Sequence, residues 1–118
     1  LALAIHPANE NFLLLGMTNV YRIRNIGTTT QFSTTAQKED VLIGGYGVTT
    51  FFRSNMHPDQ HLFVFPDPEN RPDYLIAAND GGLYSTLDIQ RQGSPQWQDL
   101  NIGYNVTQFY HASISPRT

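Results

Sequence analysis

Two histidines alternate around an aspartate at His57, Asp59 and His61, and a second carboxylate follows in the turn Asn79-Asp80-Gly81-Gly82. Imidazoles and carboxylates at this spacing can ligate a metal, exchange protons or hold a polar ligand. In an extended strand the two histidines would lie about 13 Å apart with parallel side chains, since each residue adds roughly 3.3 Å. Joint ligation would need a bend, which Pro58 could supply, and the cluster still falls short of a four-coordinate site. The expectation is no metal and no cofactor, with His57, Asp59, His61 and Asp80 serving as ligand contacts. Asp59 and Asp80 are also candidates for the acid and base of glycoside hydrolysis, which needs a carboxylate pair about 5 to 9.5 Å apart.

Each of these residues has a plainer role beside the chemical one. Asn and Asp followed by glycine are the usual residues of a tight hairpin, so Asn79, Gly81 and Gly82 are expected to form a structural turn. His57, Asp59 and His61 stand where a loop becomes a strand, and hydrogen bonding there needs no ligand. Asp67, Glu69, Asp73 and Asp99 read as solvated loop charges.

Other chemistries are excluded more firmly. Ser85 lacks the glycine elbow of an acyl-transfer serine. Gly44-Gly45-Tyr46-Gly47 is followed by no lysine, so it is not a phosphate loop. The sequence contains no cysteine, which removes disulfides and thiolate chemistry. Seven basic against ten acidic residues give a net charge of −3 with no basic run, which argues against nucleic acid. No window is long and apolar enough for a membrane helix, so no membrane insertion is expected. Asn105-Val106-Thr107 is a glycosylation sequon that would matter only in a eukaryotic secretory pathway.

The elements that must carry these residues are strands. From Met56 onward the pattern predicts strands over Leu62 to Phe65, Tyr74 to Ala78, Leu83 to Leu87 and Gln96 to Leu100, separated by Pro- and Gly-rich turns. Upstream, strands are expected over Leu1 to Ile5, Phe12 to Leu15 and Val20 to Arg24, with Gln31 to Thr34 as the fourth. The run Phe12 to Leu15 suits a strand buried on both faces. Strand alternation puts Val20, Arg22 and Arg24 on one face, and Tyr21 and Ile23 on the other. Tyr21, Phe32, Phe63, Phe65, Tyr74, Tyr84 and Trp97 are expected to form the core.

The same order of parts thus occurs twice. Leu13-Leu14-Leu15-Gly16 parallels Leu75 to Asn79, Val20-Tyr21 parallels Leu83-Tyr84, and Phe109 to Pro116 parallels Leu1 to Pro7. The stretch from Ala36 to His61 lengthens the first copy, either as strands completing its sheet or as an excursion over one face. Four-stranded antiparallel units at this period are what β-propeller blades show. The expected organisation is a first blade at 1–55 with an inserted Gly-rich loop, a second at 56–105, and the first strand of a third at 106–118. A blade must stack on neighbours to bury both faces, so the chain reads as part of a larger propeller. Opening on Leu1 rather than Met, it reads also as a processed product or a piece of something longer. The competing possibility is a small self-contained sandwich that would be a stable monomer of 118 residues.

The series His57 to His61, Asn79 to Ser85, Trp97 to Asn101 and Gln108-Phe109-Tyr110 resembles the BNR, or Asp-box, repeat propellers of the sortilin-like, sialidase-like and xyloglucanase-like type. The likeness is dense from His57 to Pro116 and thin before Asn55. The box itself, Ser-x-Asp-x-Gly-x-Thr-Trp in the family, is stretched here to Thr86-Leu87-Asp88, Gly93 and Trp97. Asp88 is then expected to cap the turn and Trp97 to pack on it, with a bulged loop between. In the first copy Arg24, Gly27 and Phe32 take the corresponding places.

The resemblance implies a secreted or cell-surface protein in which this segment is a binding or scaffold module for protein or carbohydrate. The remaining blades, in the same or an adjoining chain, would be its partners. In a meander the loop leading into the first strand and the turn between the second and third open on one face. His57, Asp59, His61 and Asp80 should gather there, joined by Tyr104, Gln108 and Tyr110 from the next blade. The alternative is part of a glycoside hydrolase of the xyloglucanase-like or sialidase-like type.

Overall fold

The computed structural model describes residues 1–26, 41–46 and 56–103. The described strands form two four-stranded antiparallel sheets, so the fold is all-β. The first is a meander of β1 (Ala2–His6), β2 (Asn9–Gly16), β3 (Val20–Ile23) and β4 (Leu42–Gly44). The second repeats that order with β5 (Gln60–Val64), β6 (Leu75–Asn79), β7 (Gly82–Thr86) and β8 (Gln98–Asp99).

Alternation decides which side of each sheet is covered. Phe12 and Leu14 are buried on β2, whereas Leu13 and Leu15 are half-buried. Ala2, Leu14 and Val20 of the first sheet share one core with Phe63, Leu75, Ala77 and Tyr84 of the second. The sheets approach so closely that a Cβ on Gly16 would lie 2.7 Å from both the Gln60 Cβ and the Phe63 ring. Only glycine leaves room there.

The two sheets pack in one sense. The turn between β2 and β3 accepts hydrogen bonds from the start of β5, Met17 O from Gln60 N at 2.7 Å and Thr18 O from Asp59 N at 2.8 Å. At the opposite end, His6 of β1 meets Asp73, which leads into β6. Hence β1 and β5 lie side by side and run in the same direction. Outward from that pair, Arg22 of β3 reaches the chain after β7, and Trp97 reaches Ile43 of β4. Both meanders therefore unroll in the same order and direction. One face of the first sheet therefore packs on the opposite-handed face of the second.

The expected strands occur with small shifts in their ends, except for the fourth of the first sheet. That position is filled by Leu42–Gly44, so the Gly-rich stretch completes the sheet. Gln31 to Thr34 lie outside the described residues, as does Phe32. Asp73, expected as a solvated loop charge, keeps 38% of its side chain exposed but also accepts hydrogen bonds from His6 and Gln90 at 2.7 Å each. Phe63, Tyr84 and Trp97 are in the core, while Phe65 packs at its margin and Tyr21 and Tyr74 are half-buried.

Candidate functional site

The upper end of the sheets, where β1 and β5 begin, gathers residues 56–60, the turn at Asp80-Gly81, the β2–β3 turn and Asn101. Asn79 organises it from below. Its side-chain amide donates to the His57 carbonyl at 2.9 Å, and its Oδ1 accepts from Gly81 N at 2.9 Å. Gln60, buried beneath, donates to the same His57 carbonyl at 2.8 Å. The loop before β5 is thereby tied to the hairpin at Asp80. Gly81 lies directly on the His57 side chain, where a Cβ would collide with the imidazole.

Above this layer, the His61 Nε2 and the Asp80 carboxylate form a hydrogen-bonded pair. Its imidazole is 60% exposed, so a ligand in solvent can reach it. His57 turns back on its own loop, with Nδ1 3.0 Å from the Pro58 carbonyl. Asp59 is exposed and holds a positive φ of 64°, a left-handed conformation Asp tolerates better than most residues. Of the expected site residues, the structure brings His61 onto Asp80 and His57 under Gly81, with Asp59 on the rim. Tyr104, Gln108 and Tyr110 lie outside the described residues. No three His, Asp or Glu side chains converge as metal ligands among the described residues.

Asn101 was not singled out by its sequence, yet it completes this end. Its Oδ1 accepts from Leu83 N at 2.9 Å and its amide donates to Leu83 O at 3.3 Å and to Asp99 Oδ1 at 2.7 Å. The side chain thus imitates one more residue of β8 beside β7. The Asp99-x-Asn101 spacing, closed by Asn101 N donating to Asp99 Oδ1 at 2.7 Å, is the local signal. Burial of Tyr84 raises its phenol pKa above the usual value, the Asp99 carboxylate raises it further, and a backbone hydrogen bond from His57 opposes both.

The opposite, lower end holds a second polar cluster. Ala8 N donates to His6 Nδ1 at 3.1 Å, so neutral His6 carries its proton on Nε2, which donates to Asp73 Oδ1 at 2.7 Å. Gln90 donates to the same oxygen at 2.7 Å and accepts from Asn9 at 3.1 Å. The His6 side chain is fully buried and meets the Phe12 and Phe65 rings edge-on at 5.4 Å. This cluster ties the sheets together and offers no open imidazole to a substrate. Asp88 closes its turn through the backbone, donating to Thr86 Oγ1 at 3.5 Å and accepting from Arg91 N at 3.3 Å.

Beyond the last rung of β7 and β8 the strands part, leaving a cleft of about 390 Å³ lined by residues including Asp88, Arg91, Gln96 and Trp97. Neither Asp59 nor Asp80 lines it. Trp97 gives it an aromatic wall whose indole N–H is already donated to Ile43 O at 2.7 Å.

No family model, curated protein or solved structure matches the chain.

Proposed function

We propose that this chain is a segment of a β-propeller of BNR, or Asp-box, type, serving as a noncatalytic binding or scaffold module. Its ligand is protein or carbohydrate, held at the upper end through His61 and Asp80, with His57 and Asp59 beside them. Its setting is a secreted or cell-surface protein, as in the propellers its motifs resemble. Further blades, in the same or an adjoining chain, are its structural partners.

One observation supports the reading: two meanders of like order and direction stack face on face, with β1 and β5 parallel and their upper loops on one rim. Blades about a common axis have this relation. The exposed His61–Asp80 pair supplies both a donor and an acceptor at that rim, which suits hydroxyl and amide groups. The glycoside hydrolase alternative has less support, because Asp80 is held by His61 and the described cleft lies away from Asp59 and Asp80.

Screening the chain against glycan and peptide arrays, then repeating each hit with His61→Ala and Asp80→Asn, tests the reading. A ligand whose affinity falls at least about tenfold in both variants is expected, a loss of roughly 1.4 kcal/mol or more. Binding indifferent to both changes would remove the upper end as the site. Glycoside cleavage abolished by Asp80→Asn would favour the hydrolase.

A further inference from the structure

Each sheet turns one face into the shared core, and among the described residues the opposite face of each exposes a row of apolar side chains, although Ile23 and Ser85 on those faces are buried. On the first sheet Leu3 and Ile5 are 64% and 55% exposed, with Leu15 in register beside Leu3. On the second, Leu62 and Val64 are 54% and 41% exposed, and Leu83, two strands away, is 41% exposed. The intervening β6 presents Ala78, in register with both Leu62 and Leu83. Scattered exposed leucines need no explanation, but contiguous apolar registers on a sheet face mark an interaction surface.

The packing already present says what fits there. Because the two meanders run in the same order and direction, the covered contact joins unlike faces. The uncovered face of the second sheet has the same handedness as the covered face of the first, and the uncovered face of the first matches the covered face of the second. One molecule therefore carries the two unlike halves of a contact it already makes internally.

We infer that the chain associates with further copies of itself head to tail. The Leu62, Val64 and Leu83 face of one copy packs on the Leu3 and Ile5 face of the next, repeating the contact between its own two sheets. A contact between unlike patches propagates until rotation closes a ring, whereas a twofold dimer pairs like with like. This inference deepens the propeller reading and rests on it for the rotation, while committing to a second copy as the occupant of both faces.

The decisive experiment uses two variants of the whole chain: Leu3→Lys with Ile5→Lys, and Leu62→Lys with Val64→Lys. Sedimentation velocity should show the unsubstituted chain as an oligomer larger than a dimer and each variant alone as a monomer. Mixed in equal amounts, the variants should form a heterodimer, because each retains the patch the other has lost. Complementation also reports folding, since a misfolded variant could not restore its partner. A monomeric unsubstituted chain with intact sheet content would overturn the inference. So would either variant dimerising with itself, or a mixture that stays monomeric while both variants keep their sheet content. His61-dependent ligand binding by a monomer would leave the binding reading standing, so the two can fail separately.

Discussion

Arg22 on β3 donates to the carbonyl of Ile89, 67 residues further along the chain, at 2.8 Å. The same guanidinium reaches Arg91 O at 2.8 Å and Gly93 O at 2.6 Å, and the residue is 1% exposed. One strand residue of the first sheet thus shapes the loop after β7. Arg24 beside it holds Gln90 O at 2.8 Å and Arg91 O at 2.9 Å from a more exposed position.

Arg22→Met should cost about 3 kcal/mol, because the shape is nearly kept while buried carbonyls lose their donors. Arg22→Lys should recover little, since an ammonium cannot span three carbonyls as the planar guanidinium does. Arg24→Ala should cost about 1 kcal/mol, its carbonyl partners being nearer water. Urea titration followed through the fluorescence of Trp97, the sole tryptophan, checks all three. Equal losses at Arg22 and Arg24 would refute the assignment of Arg22 as the principal clamp.

Asp73 is the acceptor shared by His6 and Gln90. Asp73→Ala leaves the buried His6 N–H without its partner and should cost about 2 kcal/mol. A double-mutant cycle with His6→Ala should give a coupling of about 1 kcal/mol between the two. Additive losses would mean that Asp73 acts through solvent and not through His6.

Gly16 and Gly93 should respond to alanine for different reasons. Gly16→Ala forces a methyl into the Gln60 side chain and the Phe63 ring, each 2.7 Å from its position, and should cost about 2 kcal/mol or more. Gly93 has a φ of +78° with nothing near its absent Cβ. Gly93→Ala should therefore cost only the backbone term, about 1 kcal/mol. Gly93→Asn, better suited to a left-handed conformation, should recover part of that loss, whereas Gly16→Ser should fare no better than Gly16→Ala. Thermal melts of the four variants separate contact from conformation.

Tyr84 should make stability fall in alkali. Burial, with Asp99 behind it, raises its folded-state pKa above the ordinary value of about 10. The unfolded chain then loses its phenol proton at lower pH than the folded one. The Tyr84 contribution is accordingly intact below the unfolded pKa and lost as pH rises through the folded pKa. Tyr84→Phe should flatten the alkaline limb of a stability profile, and Asp99→Asn should lower the tyrosinate midpoint. An unchanged limb in Tyr84→Phe would reject Tyr84 as its source.

Alternation and turn residues determined the local architecture. Tyr74 to Ala78 and Leu83 to Leu87, read around an Asn-Asp-Gly-Gly turn, foreshadow β6 and β7 because period-two burial and hairpin chemistry act over neighbouring residues. The same alternation set Arg22 in line with Val20, yet the expectation of Tyr21 in the core favoured the other face, so the burial of Arg22 was decided by the tertiary structure. The repeated order of turns foreshadowed two meanders, and in the structure His61 meets Asp80 at the end where their loops lie. Leu42–Gly44 was legible only as one of two alternatives for the Gly-rich stretch, beside Gln31 to Thr34 as the named fourth strand, because three residues carry too little period to decide. Only the tertiary structure decided which groups 60 or more residues apart would pair: Arg22 with Ile89, His6 with Asp73, and Asn9 with Gln90. Those pairings follow from how the two sheets pack face on face, and a polar group buried between them must take whatever partner the facing sheet provides.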